Sequence, residues 1–265
     1  MYSSARLALK YLHYYRTAYN GKGHGMHSPF GFRFILDVLN NRPGLTPPAA
    51  IDALRAELKR DGTLLTIEDL GAGSRVQSTK QRTVAQLARA AVKPPKYGQL
   101  LYRLAALHRP KTIIELGTSL GITTAYLAAA VPEATVTSIE GSGAVRAVAQ
   151  HNFGRLGLTN IHSLEGNFDD VLPQVLAATP SVDLAFIDGN HRYAPTMDYF
   201  RQLLEKRNND TVLVFDDIHW SAGMEQAWRE IQAHPAVRCS IDLFFLGLVF
   251  FRQEFHERQH FTIRY

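Results

Sequence analysis

Cysteine is almost missing from this 265-residue chain: Cys239 stands alone. That excludes an internal disulfide and any zinc site built from several thiolates, and leaves Cys239 as an inert core residue. No stretch reaches the roughly 18 consecutive apolar residues of a membrane span. The N-terminus offers no apolar run fit for a signal peptide, because Arg6, Lys10 and His13 interrupt it, so a cytoplasmic protein is expected. Acidic residues are absent from positions 70 to 114, where nine basic side chains fall.

What is present is ordinary in bulk and lopsided in distribution. Hydrophobic content of 46% and charged content of 20% fit a globular chain long enough to bury a sizeable core. The net charge of +5 conceals two different parts. Residues 1–114 carry 18 Lys and Arg against 6 Asp and Glu, a net +12, and residues 115–265 carry 11 against 18, a net −7. A basic field of that size attracts an anionic small molecule, a nucleic acid or an anionic lipid surface, or else it meets the acidic part of the same chain or of a second copy. A homodimer is compatible with the opposed charges.

From Lys111 onward, short β-branched runs alternate with helical apolar spacing. "KTIIEL", "TVTSIE", "IHSLEG", "VDLAFID" and "TVLVFDD" read as strands, and near-continuous apolar strands separated by helices mean a mostly parallel sheet covered on both faces. "VRCSIDLFF" and "LVFFR" around Gly247 read as an antiparallel pair at one edge, with "HFTIRY" as a last short strand. The first 110 residues read as helical pieces: Ser28 before Pro29 opens one, "IDALRAELKR" is a second, "TVAQLARAAV" a third and "KYGQLLYRLAAL" a fourth. The N-terminal "ARLALKYLHYYRTAY" sets Leu7, Tyr11, Tyr14 and Tyr15 on one stripe, expected to pack on the domain or on a partner chain, with an anionic membrane as the alternative.

Two glycine runs compete as the ligand turn, "IEDLGAGSR" from Ile67 and "IIELGTSLG" from Ile113. A nucleotide-binding strand needs a helix directly after its glycine turn, so that backbone amides face the ligand, and a second strand ending in an acid for the ribose hydroxyls. Only the later run has both: Gly117 to Gly121 opens "ITTAYLAAAV", and "TVTSIE" ends at Glu140. The earlier run is read as a loop at the edge of the site, where Arg75 and Lys80 could meet an anionic group. Ser119 occupies the second glycine position of a dinucleotide fingerprint, and the carboxylate of Glu115 repels phosphate. A cationic ligand with an amino group and a ribose suits such a turn, and S-adenosylmethionine is one.

At this point the sequence resembles the class I S-adenosylmethionine-dependent methyltransferases, and among them the catechol and caffeoyl-CoA type of O-methyltransferase. The likeness runs from about Pro94 to Trp220, through "PPKYGQLLYRLAAL", "IIELGTSLGITTAYLA", "VTSIEG", "LEGNFDDVLPQV", "VDLAFIDGNHRY" and "LVFDDIHW". It implies a Rossmann-like α/β fold with a mostly parallel seven-stranded sheet over residues 94–265, preceded by a helical basic region over residues 1–93. It also implies that Glu115, Gly117, Thr118, Ser119 and Gly121 surround the methionine part of the cofactor. Glu140, followed by Gly141, would take the ribose hydroxyls, and Asn167 and Phe168 after Gly166 would meet the adenine. Thr118 and Ser119 could instead serve as helix caps, and Phe168 as plain core.

For the chemistry, the resemblance implies Mg²⁺ held by Asp188, Asp216 and Asp217, with Asp217 standing where the family has Asn. Three oxygen ligands suit a hard cation, and three apposed carboxylates without one would repel one another. The alternative for Asp217 is a cap or ion-pair partner before "AGMEQAWREI". His191 falls at the position of the family's general base, and an imidazole accepts a proton near neutrality without special tuning. His219 is the reserve catalytic residue, and Asp188 counts both as metal ligand and as a cofactor-side and catalytic group. "GHGMHSPF", with His24 and His27, reads as a lid or helix entry on the substrate side.

The expectation is therefore transfer of a methyl group to an oxygen of a small hydroxylated substrate, aromatic or acidic, with a divalent cation assisting. An RNA-modifying methyltransferase, a non-catalytic cofactor-binding or scaffolding protein, and an NAD-linked oxidoreductase are the rival readings.

Overall fold

The apolar runs become strands and the 3.6-periodic segments helices. The computed structural model describes residues 1–23, 27–40, 44–69, 78–91 and 93–265. Its helices are α1 (Ser4–Thr17), α2 (Pro29–Phe34), α3 (Ala49–Leu58), α4 (Val84–Ala91), α5 (Pro95–His108), α6 (Ile122–Ala130), α7 (Gly143–Arg155), α8 (Phe168–Ala178), α9 (Tyr193–Glu205) and α10 (Ala222–Ala233). Its strands are β1 (Leu64–Asp69), β2 (Ser78–Thr83), β3 (Thr112–Leu116), β4 (Thr135–Glu140), β5 (Ile161–Glu165), β6 (Val182–Ile187), β7 (Arg207–Asp216), β8 (Cys239–Asp242), β9 (Leu246–Phe250) and β10 (Gln259–Thr262). A single π-helical turn, Ile35–Leu39, extends α2.

Two units emerge, Pro43–Ala178 and a second that joins Met1–Arg42 to Thr179–Tyr265. In the unit Pro43–Ala178, β3 pairs in parallel with β4 and β4 with β5. Ile113, Ile114 and Leu116 of β3 are buried, each side chain contributing roughly 1.5–3 kcal/mol by leaving water. A cluster of Ile51, Leu54 and Leu58 from α3, Val84 and Ala88 from α4, Ala125 and Tyr126 from α6, and Leu120 just before α6 forms its core. Tyr126 donates to Asp52 of α3 at 2.7 Å, and Gly98 of α5 lies under its ring, where an added Cβ would come within 2.3 Å.

This unit also holds an element that the helical expectation omits. β1 and β2 form an antiparallel hairpin with register Leu64↔Thr83 to Asp69↔Ser78. The segment "STKQRT" carries no apolar alternation, so only backbone pairing with "LLTIED" makes it a strand. The run Gly71–Arg75 between the two strands lies outside the described residues, as do His24 to Met26.

In the other unit the strand order is β10-β8-β9-β7-β6. β6 pairs in parallel with β7, while β9 runs antiparallel to both β7 and β8, as the sequence leads one to expect. β10 adds in parallel to β8. Among the described residues, the C-terminal "QHFT" thus adds an eighth strand to the seven expected, continuing the pairing beyond the antiparallel pair. Cys239 is fully buried, and burial pushes its thiol up to about 12, in keeping with an inert core residue.

α1 belongs to this unit. Ser3 caps it, and Tyr14 and Ala18 pack with Leu7 and Tyr11 against Phe244 and Phe245 in the β8–β9 turn. The Tyr14 hydroxyl donates to the Ile263 carbonyl, and Tyr2 and Lys10 reach Glu225 of α10 at 2.9 and 2.8 Å. The N-terminal helix is therefore fastened to the C-terminal strands, which its sequence position does not disclose.

Candidate active site

In the unit Pro43–Ala178 the sequence-predicted cofactor residues collect at the C-terminal ends of β3, β4 and β5. Gly117, Ser119 and Gly121 all take positive φ, at 101°, 48° and 80°. Such a path suits glycine, and Ser119 adopts it at a cost. A Cβ on Gly121 would lie 2.5 Å from the Phe153 ring, so space as well as backbone angle requires glycine there. The turn is fastened to β4: the N–H groups of Gly117 and Thr118 donate to the Ile139 carbonyl at 3.0 and 3.2 Å. No side chain caps α6, so the alternative role of Thr118 and Ser119 as caps is not the one they fill.

Glu115 is fully buried in β3. Its Oε2 accepts from Ser138 at 2.5 Å and from Thr124, and Ser138 is in turn within 2.5 Å of the Thr118 hydroxyl. Its Oε1 is buried with no hydrogen-bond partner. Burial pushes the carboxyl up to about 7, against the lowering effect of the Ser138 and Thr124 hydroxyls and with help from the charge of Glu140. Thr124 and Ser138 were not singled out from sequence. The signal was a serine between the buried Val136 and Ile139 of β4.

This buried acid makes stability depend on pH. A carboxyl whose folded pKa lies above its unfolded value binds a proton more tightly when folded, so stability falls as pH rises from about 4.5 to about 7. Glu115→Gln is expected to remove that slope and to gain on the order of 3 kcal/mol above pH 7. Thermal midpoints of both proteins across this pH range check it; parallel curves would contradict it.

Glu140 closes β4. Its carboxylate accepts the Ser119 N–H at 2.8 Å and the Ser142 N–H at 3.1 Å. Burial raises its pKa, opposed by the backbone N–H groups of Ser142, Ser119 and Gly141. Gly166 takes φ 143° and donates its N–H to the Glu140 carbonyl at 3.0 Å. Asn167 Oδ1 accepts the Asp169 N–H at 3.2 Å and so opens α8, whose first residue is the partly buried Phe168. Glu115, Gly117, Thr118, Ser119, Gly121, Glu140, Gly141 and Gly166 are thus brought together by three strand ends, with Asn167 and Phe168 next in the chain.

The other unit carries the second set. Asp188 follows β6, and His191 sits three residues on, its Nε2 3.5 Å from Asp188 Oδ1. Asn190 between them has φ 66° and donates to the Tyr199 hydroxyl at 2.5 Å, which pins the loop to α9. Asp216 ends β7 and is buried. Asp188, His191 and Asp216 each offer a ligand atom, and these atoms lie within 4.8 Å of one another. Two members of the sequence-expected trio are in this cluster, and His191 is the third. Asp217, at φ 53°, donates its backbone N–H to the Phe245 carbonyl at 2.7 Å and is not among the three. The cap of α10 is Ser221, which accepts the Met224 N–H at 3.2 Å.

His219 is engaged on both ring nitrogens, Nδ1 with Glu225 at 3.1 Å and Nε2 with Asp242 at 2.8 Å, and it stacks on Phe244. Burial would lower its pKa, but the two carboxylates outweigh it and the net shift is upward. As it stands, it is a structural hub under α1.

The architecture is the Rossmann-like fold of class I methyltransferases, shared with two solved structures at 82% coverage of this chain and 96% of theirs. They are an O-methyltransferase from Bacillus cereus in complex with SAH, at 19% identity and TM-score 0.58, and TomG from Streptomyces achromogenes in complex with SAM, at 20% and 0.59. Residues 114–218 match the family described as "Methyltransferase domain". The chain is also 35% identical over 128 residues to a catechol O-methyltransferase of Niastella koreensis, an alignment that covers 47% of this chain and 57% of that protein.

Proposed function

We propose that the chain is an S-adenosylmethionine-dependent O-methyltransferase acting on a small hydroxylated substrate, aromatic or acidic, with a divalent cation assisting. The observation that carries this reading is the pair of carboxylates beside one glycine turn: Glu140 held by the Ser119 and Ser142 amides, and Glu115 buried with one oxygen unmatched. A cation-bearing adenosyl ligand fits such a donor set, since Glu140 can accept from two vicinal hydroxyls and a positive charge offsets the cost of an ionised Glu115. The SAM and SAH held by the two solved neighbours support the same ligand here.

On the acceptor side, Asp188 and Asp216 supply hard oxygen donors that fit Mg²⁺ or a similar ion, and the His191 nitrogen beside them is left to act as a base. When bound, such an ion would make an acceptor hydroxyl more acidic. The chain's own contribution is assigned to His191: Nε2 takes the hydroxyl proton, and Asp188 beside it stabilises the imidazolium that results. The likeness to a catechol O-methyltransferase supports an oxygen acceptor.

Thermal shift with SAH and with NADH tests the cofactor assignment directly. SAH at about 100 times its Kd should add about 2.7 kcal/mol and raise the midpoint, while NADH should leave it unmoved. A shift with NADH and none with SAH would sink the reading and favour an oxidoreductase.

A further inference from the structure

One face of α1 is covered by the β8–β9 turn, and the opposite face is open. Leu9 is 69% exposed, Tyr15 51% and Leu12 45%, with Ala5 and Ala8 exposed between them. At 100° per residue, Tyr15, Ala8, Leu12, Ala5 and Leu9 share an arc of about 120°, with Arg16 inside it beside Leu9, and His13, Arg6 and Lys10 continue around the helix from that edge. Tyr15 carries a further cation, the Arg264 guanidinium, 4.9 Å over its ring. Exposed apolar rings and chains continue along the same unit at Tyr19, Phe32 and Leu36.

Charge decides what covers this surface. Residues 1–36 contain Arg6, Lys10, Arg16, Lys22 and Arg33 and not one Asp or Glu. Arg6, Arg16, Lys22 and Arg33 are exposed. Seven of the ten exposed large hydrophobic residues of the described chain (Met1, Leu9, Leu12, Tyr15, Tyr19, Phe32 and Leu36) fall in this acid-free segment. Apolar side chains flanked by cations of one sign form the pattern of a helix that lies in the plane of an anionic bilayer, with Leu at the acyl boundary and Arg at the headgroups.

We infer that the open face of α1 docks this protein on an anionic lipid surface, with Leu9, Leu12 and Tyr15 entering the interface and Arg6 and Arg16 meeting lipid phosphates. The docking is peripheral and does not depend on the methyltransferase reading. No helix among the described residues is long and apolar enough to cross a membrane.

Co-sedimentation of the full chain with phosphatidylcholine vesicles, with and without phosphatidylglycerol, tests this at low and high salt. The expected result is binding only when phosphatidylglycerol is present, lost at high salt. Arg6→Gln and Arg16→Gln should each weaken it about fivefold, from roughly 1 kcal/mol per basic residue near the surface. Leu9→Ser with Leu12→Ser should weaken it further while leaving the thermal midpoint unchanged, since both positions are exposed. Absence of vesicle binding, or binding indifferent to both pairs of substitutions, overturns the inference. So does self-association in light scattering that Leu9→Ser and Leu12→Ser abolish without any vesicle binding, which would assign the face to a second copy.

Discussion

Glu140→Ala is expected to weaken SAH binding by about a hundredfold or more, measured by calorimetry on folded protein. Two effects combine. The first is direct, because the carboxylate lies at the end of β4 where vicinal hydroxyls of a ribose would find two acceptors. Hydrogen bonds to a charged group are worth about 1.5–3 kcal/mol each, against the 1.4 kcal/mol that makes a tenfold change in Kd. The second is indirect, because the same carboxylate holds the Ser119 N–H at 2.8 Å and so maintains a non-glycine residue at φ 48°. Glu140→Gln separates them. It keeps an acceptor for the Ser119 amide, and its loss of affinity should be smaller than that of alanine. Equal, near-normal affinities for both variants would remove Glu140 from the cofactor site.

The second large effect concerns turnover. Asp188→Ala is expected to lower kcat by about a hundredfold or more, since one carboxylate serves both the cation donor set and the imidazole of His191. The chelator EDTA supplies the control. If a divalent cation assists, EDTA should bring the unmodified enzyme down toward the level of the variant, and the variant itself should barely respond. SAH affinity of the variant should stay within a few-fold of normal, because the glycine turn and Glu140 are untouched. Wild-type turnover in EDTA equal to that in Mg²⁺ would leave His191 and Asp188 as a pair acting without an ion.

These two tests fall on residues that the sequence already picked out, and the reason is physical. An acid at the end of a near-continuous apolar strand, followed by a glycine turn and a helix, is a local pattern, and local pattern is what a sequence displays. Glu115, Glu140, Gly117 and Gly121 were legible for that reason, and so were the strand ends at Asp188 and Asp216. The role of Asp217 was not. Its backbone N–H donates to the Phe245 carbonyl, 28 positions further on, its φ is 53°, and it is not in the three-residue cluster.

The hairpin of β1 and β2 shows the same limit. "STKQRT" has neither the apolar alternation of a half-buried strand nor β-branched density, and its state is fixed by a partner strand rather than by its own composition. His219 looked like a spare catalytic imidazole two positions beyond Asp217, yet it is bound on both sides by Glu225 and Asp242. Neither carboxylate is announced by spacing.

By itself, then, the amino-acid sequence determined the alternation of strands and helices, the strand, glycine turn and helix of the later glycine run, and the residue types at the strand ends, because each depends on neighbours within a turn or a strand. Tertiary structure alone decided that α1 is fastened to the C-terminal strands with one face left open, that Glu115 is buried with an unmatched oxygen, and that His191 rather than Asp217 joins Asp188 and Asp216. Those outcomes depend on burial and on contacts between segments dozens to hundreds of residues apart, and no local pattern encodes them.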